Sequence, residues 1–166
     1  QTKRLVTVIA LGLGVLTTFS ANAGQESARL AVELFHGTLL SVMKEAESLG
    51  YEGRFEWLTP VIKKSFNLPF MASRSTGRYW KKASNGEHQA LVDAFTNMTI
   101  ANYASRFDGY SREIFEMVEV TEGPRDSILV KTKIVKDDGE KIALNYVMRE
   151  SDGQWQVIDI FLKGTF

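Results

Sequence analysis

The side chains able to do chemistry in this 166-residue chain are few: two histidines, no cysteine, scattered serines and one carboxylate, Asp159, inside an apolar run. Without Cys there is no disulfide framework, zinc ribbon, iron–sulfur site or thiol nucleophile. His36 lies beside Gly37 in an apolar helical stretch, and His88 follows Glu87 at an expected helix start. Neither has a second His or a carboxylate in a recognisable metal-ligand spacing. Surface or packing roles are therefore expected of both, and no metal is expected. Ser73, Ser75, Ser105 and Ser111 lack the G-x-S-x-G setting of a hydrolase nucleophile.

Asp159 interrupts Val157-Ile158-Asp159-Ile160-Phe161. A carboxylate facing a cavity in a sheet can act as a general base with a raised pKa. A solvent-facing carboxylate, or one bonded to neighbouring backbone, is the simpler reading. Alternation at period 2 sets Asp159 with Val157 and Phe161, opposite Ile158, Ile160 and Leu162. Neither G-x-x-x-x-G-K-[ST] nor, outside the leader described below, any glycine pair suggestive of G-x-G-x-x-G is present. No cofactor is expected. Basic and acidic residues balance at 20 each, which removes the basic surface that nucleic acid requires.

The elements that must carry these residues divide into a leader, a helical half and a strand half. Thr2-Lys3-Arg4 precede fifteen mostly apolar, uncharged residues, Leu5 to Phe19, and then Ser20-Ala21-Asn22-Ala23. A basic start, a short apolar run and an A-x-A site describe a cleavable secretory signal over residues 1–23, shorter than the roughly 20 apolar residues of a membrane span. Lys3 and Arg4 leave with it, so 18 basic and 20 acidic residues remain and the mature net charge is near −2. Residues 24–166 then form one domain, expected outside the cytoplasm and stabilised by packing alone.

Apolar residues recur at helical spacing from Gln25 to Leu49 (Leu30, Leu34, Phe35, Leu39, Val42, Met43, Ala46), with a stop expected at Gly50. A second helix is expected from about Gly53 to Ser65, with Trp57, Leu58, Val61 and Ile62 on one face and Pro60 in its first turns. A short third segment covers Pro69 to Trp80. Ser84 and Glu87 have capping-box spacing for a fourth helix that buries Leu91, Ala94, Phe95, Met98 and Tyr103. After Tyr110 the period becomes 2. Four strands follow, joined by turns at Glu122–Asp126, Asp137-Asp138-Gly139 and Ser151-Asp152-Gly153. Short links imply an antiparallel meander, and the helices are its only available cover. The expected fold class is α+β: helices on one face of a curved four-stranded antiparallel sheet. Nine aromatics and Met71 lie between Phe66 and Phe115. If one helix layer cannot pack them all, an apolar pocket remains between the layers.

Phe66-Asn67-Leu68-Pro69-Phe70-Met71-Ala72, Gly77-Arg78-Tyr79-Trp80, Ala94-Phe95 and Tyr103 resemble the helical half of the MlaC family of periplasmic lipid-binding, or toluene-tolerance, proteins. Arg106-Phe107-Asp108-Gly109-Tyr110-Ser111, Leu129-Val130-Lys131-Thr132 and Gly153 to Ile160 are most similar to its hopanoid-associated HpnM branch. The resemblance implies an NTF2-like, MlaC-like fold and a non-enzymatic periplasmic carrier of phospholipid or hopanoid between inner and outer membranes. It also implies an inner-membrane transporter complex and an outer-membrane lipoprotein complex as partners. Family members continue past Lys163-Gly164-Thr165-Phe166 into further helix, so the chain is expected to lack the family's C-terminal helix.

The expected lining is Phe66, Phe70, Met71, Tyr79, Trp80, Phe95, Tyr103, Leu144, Tyr146 and Ile158, with the sheet face left open. Arg74 and Arg78 are candidates for a headgroup, with ordinary solvated charges as the simpler role. Each buried CH₂ is worth about 0.8 kcal/mol, so a 16-carbon tail represents roughly 12 kcal/mol against water. A carrier must supply an interior as apolar as the membrane it empties. The competing reading is a small NTF2-like hydrolase or isomerase with Asp159 as base on a hydrophobic substrate; a third is an interaction module without a cavity.

Overall fold

The computed structural model describes residues 16–163, with side chains for 22–162. The expected leader falls largely on residues 1–15 and so lies mostly outside the described residues. Four helices, α1 (Leu16–Lys44), α2 (Ala46–Ser65), α3 (Leu68–Thr76) and α4 (Asn85–Arg106), precede strands β1 (Ile114–Gly123), β2 (Ser127–Val135), β3 (Lys141–Ser151) and β4 (Gln154–Lys163). A 3₁₀ turn at Trp80–Lys82 separates α3 from α4. The strands pair antiparallel in chain order, β1-β2-β3-β4. Helix α1 lies across the sheet and touches all four strands, while α2 and α3 pack on α4 and on β4. This is the expected α+β meander.

Helix α1 buries Ala28, Val32, Phe35, Leu39 and Val42, spaced by three and four residues, and the same stripe continues through Met43 and Ala46. Two expected members are absent from it. Leu30 and Leu34 stand on the outer face, Leu34 with 66% of its surface exposed. The break after α1 comes at Glu45, five residues before the expected stop. At the expected stop itself, Gly50 has φ 59°, ψ −172°, a non-helical conformation open only to glycine, and splits α2 into two helical stretches across a kink. Pro60 is ten residues beyond that bend, in the helix interior rather than its first turns, and deprives the preceding turn of one hydrogen bond.

Helix starts follow their local signals more closely. Ser84 and Glu87 form the expected capping box: the Glu87 amide donates to Ser84 Oγ at 3.4 Å and the Ser84 amide donates to Glu87 Oε2 at 2.7 Å. Asn67 Oδ1 caps α3 by accepting from the Phe70 amide at 3.1 Å. The Asn67 amide in turn donates to the Val157 carbonyl at 2.9 Å, so the α2–α3 link is stitched to the free edge of β4. The face buried by α4 differs from expectation. Thr96, Thr99, Ile100 and Ala104 are buried, whereas Ala94 and Met98 are exposed and Leu91, Phe95 and Tyr103 are half-buried.

The β3–β4 turn is the two-residue loop Asp152-Gly153, with φ of 52° and 74° between the paired Ser151 and Gln154. Two positive φ values give a primed hairpin, whose twist matches the strands. Register shifts interrupt β1 at Val118 and β4 at Ile158; such bulges increase local twist and bend a sheet. The bulge in β4 also resets its faces. Val157 pairs with Met148 and is buried, while Asp159 pairs with Val147 and points outward with Phe161. Strict alternation had placed Val157 with Asp159. One extra residue overturns that assignment.

Candidate functional site

The inner face of the sheet presents Ile134 of β2, Ile142 and Leu144 of β3, and Ile160 and Leu162 of β4 as one patch. Over it lie Phe95, Thr99 and Tyr103 of α4, Met71 of α3, Met43 of α1 and Phe107. Over this patch the two layers stand apart. They enclose a cavity of about 630 Å³ whose walls are mostly apolar, within the ~300–1,000 Å³ of ordinary ligand sites. Its rim carries exposed Met98, Asn102, Arg106 and Leu162, with Glu113 and Lys136 beside them. Lys136 Nζ donates to Glu140 Oε2 at 2.5 Å. That hydrogen bond, and more weakly the Glu140, Asp138 and Glu113 charges, holds the ammonium above the usual lysine range.

Two other hollows differ in kind. A space of about 720 Å³ outside Phe66 and Leu68 is bordered by Lys63, Asp93, Asn97, Asp152 and Gln156, groups that hold water rather than hydrocarbon. A third, of about 490 Å³, lies where α1 and α2 meet the β3–β4 hairpin, against Leu34, Val61, Trp155 and Val157.

Behind the 630 Å³ cavity is a cluster of rings. Tyr103 lies edge-on to Phe35 and Phe66 at 5.4 and 5.7 Å and stacks on Phe107 at 5.6 Å. His36 stacks on Phe115 at 4.2 Å and its Nε2 meets the Tyr146 hydroxyl at 2.9 Å. Burial depresses the His36 imidazolium to a pKa of about 4 and pushes both the Tyr103 and Tyr146 phenols up. At neutral pH this wall carries no charge.

The His36 shift predicts a pH dependence of stability. Folded His36 stays neutral down to about pH 4, whereas in the unfolded chain it takes up a proton near its ordinary 6.5. Its contribution is complete above pH 6.5 and is lost as pH falls toward 4, up to about 3 kcal/mol. Urea midpoints measured across that window should fall less steeply for His36→Gln than for the wild type; equal slopes would refute the assignment.

Of the ten residues expected to line a pocket, Met71, Phe95, Tyr103 and Leu144 are brought together on this cavity. Phe66 and Tyr146 are fully buried behind it, and Ile158 is buried at the β4 bulge. Three stand apart. Phe70 packs beneath the Arg149 guanidinium at 5.0 Å. Trp80 stacks on His88 at 4.0 Å, and His88 Nε2 donates to the Trp80 carbonyl at 2.7 Å. Tyr79 is 65% exposed under Arg78. Arg74 and Arg78 are exposed and do not border the cavity. Asp159 is exposed on the outer face of the sheet, its Oδ1 accepting from the Ile160 amide at 2.9 Å, so it has no access to the cavity as a base. Met43, Phe107, Ile134, Ile142, Ile160 and Leu162 complete the walls. The strand members among these were legible as apolar residues sharing a face, but neither the direction of that face nor its position over a void was.

Helices over one face of an antiparallel meander, with an apolar hollow held open between the layers, define a ligand-holding α+β scaffold. Among the described residues no helix is long and apolar enough to cross a membrane, and no group of three or more His, Asp or Glu could hold a metal ion. The chain belongs to the MlaC protein family, whose model matches residues 35–165. A phospholipid-binding protein from Ralstonia solanacearum, solved in complex with a phospholipid, shares the fold with a TM-score of 0.73 at 20% identity, over 84% of this chain and 79% of that one. No curated protein matches the chain.

Proposed function

We propose that this protein is a periplasmic lipid carrier that shields the hydrocarbon part of a phospholipid or hopanoid between membranes, without chemical turnover. The apolar cavity between α4 and the sheet carries the proposal, supported by membership of the MlaC family. A tail of 16 carbons costs roughly 12 kcal/mol to expose to water. Inside walls of Leu144, Ile160, Phe95 and Met71 it would exchange one hydrocarbon environment for another, so extraction is nearly thermoneutral and a small difference in affinity at each membrane sets direction. Arg106 and Lys136 at the rim suit a phosphate; neighbouring Glu113 and Glu140 temper that attraction and so favour release. Resemblance to the HpnM branch motivates hopanoid as the alternative cargo. The donor and acceptor would be an inner-membrane transporter complex and an outer-membrane lipoprotein complex, reached after removal of the expected leader.

Native mass spectrometry of protein prepared from its own periplasm tests this reading. A co-purifying phospholipid or triterpenoid mass is expected, and its identity selects the branch. Protein that is empty and also fails to extract lipid from phosphatidylglycerol vesicles would rule out the carrier.

A further inference from the structure

Behind the rim, the ring-lined wall of the cavity carries a hydroxyl that the protein does not use. Tyr103 borders the cavity, and among the described residues no atom forms a hydrogen bond with its hydroxyl, although its ring is fixed by Phe35, Phe66 and Phe107. Among the described residues no buried side-chain oxygen or nitrogen is fully enclosed without a partner. The Tyr103 hydroxyl therefore opens onto the hollow. Its neighbours do not compete for it. Thr99 Oγ1 donates to the Phe95 carbonyl at 2.8 Å, and the Tyr146 hydroxyl is engaged with His36. An apolar ligand covering this hydroxyl would strip it of water and return nothing, a loss comparable to any buried unsatisfied donor.

We propose that the cavity is built for a lipid bearing a neutral oxygen, a hydroxyl or carbonyl, within its buried portion, and that Tyr103 hydrogen-bonds that oxygen. The geometry excludes a charged partner. The wall behind Tyr103 is a set of rings with a neutral His–Tyr pair, offering no counter-charge, and the cationic side chains bordering the cavity, Arg106 and Lys136, are at its rim. Ester carbonyls near the start of an acyl chain, a chain hydroxyl and a polycyclic alcohol all satisfy the requirement; an unsubstituted hydrocarbon does not. Tyr103 is thus a specificity-determining residue, and the inference rests on the reading of this cavity as a lipid site.

Stearate and a series of hydroxystearates, with the hydroxyl moved stepwise along the chain, separate the two. Titrated into wild-type protein and Tyr103→Phe, at least one hydroxystearate should bind the wild type five- to tenfold more tightly than stearate and lose that advantage in the variant. Stearate itself should bind Tyr103→Phe several-fold more tightly than the wild type, because no hydroxyl is then desolvated. That gain also shows the variant to be folded. If wild type and variant bind every probe alike, the Tyr103 inference fails while the carrier stands. If the wild type binds none of the probes, the cavity is not a lipid site and both readings fall.

Discussion

Ile160→Glu is expected to abolish acyl-chain binding, while Phe161→Glu, one residue further along the same strand, leaves it intact. The two side chains leave β4 on opposite faces. Ile160 pairs with Tyr146 and borders the cavity, whereas Phe161 pairs with Asn145 and is half exposed outside. In the empty protein, a glutamate at position 160 can be hydrated by water in the hollow, so folding survives. A lipid tail must expel that water and leave an unpaired carboxylate against hydrocarbon, a cost of more than about 3 kcal/mol. At ~1.4 kcal/mol per tenfold, affinity drops by more than a hundredfold. The measurement is displacement of a fluorescent fatty acid, with far-ultraviolet circular dichroism to establish folding. Equal loss in both variants, or retention in Ile160→Glu, would place the cargo elsewhere on the molecule.

That comparison turns on a face assignment that sequence periodicity partly misplaces. Strands β2 and β3 are regular, and their alternation groups Ile134, Ile142, Leu144 and Tyr146 on one face, which the structure turns inward. In β4 a single inserted residue at the bulge carries Val157 to the inner face while leaving Ile160 and Leu162 there. Nothing in Gln156-Val157-Ile158-Asp159 signals the insertion, since it reflects how β4 bends under the α2–α3 link. The helices show a similar division. The capping box at Ser84 and the glycine at position 50 are local signals and reappear as structure, the latter as a non-helical break between two helical stretches. Which face of α4 is buried is not local. Helix α2 takes its Thr96, Ile100 and Ala104 side, and the larger Phe95 and Tyr103 border the void. The aromatic segment from Phe66 to Phe115 marked the right region. Tyr79 and Trp80, which aromatic content and the Gly77-Arg78-Tyr79-Trp80 resemblance both point to, stand apart from the cavity, beyond the positive φ of Gly77. A cavity is a failure of packing, and pattern reports which residues are buried but not where burial stops short.

The second large effect concerns Arg54, a buried cation that pairs with no carboxylate among the described residues. It is 8% exposed, and its Nε and Nη1 donate to the Ala104 and Ala46 carbonyls, each at 2.9 Å. Ala104 lies in the last turn of α4, where carbonyls lack helical partners and concentrate partial negative charge. Ala46 lies in the turn immediately before the Gly50 bend. One guanidinium thus ties that bend to the end of α4, the helix supplying the upper wall of the cavity. Charged-donor hydrogen bonds contribute about 1.5–3 kcal/mol each, offset by the desolvation of the cation. Arg54→Ala, which also empties the space of the stem, should lower unfolding stability by about 3 kcal/mol. Arg54→Met, which retains most of that packing, should lower it by about half as much. Urea denaturation of the two variants separates donors from packing: a methionine variant as stable as the wild type would mean the carbonyl contacts add nothing. Lipid affinity supplies the functional arm. With the end of α4 released, Tyr103 and Phe107 lose their fixed distance from Leu144, the hollow collapses part of the time, and binding of stearate should weaken in both variants even at temperatures where they remain folded.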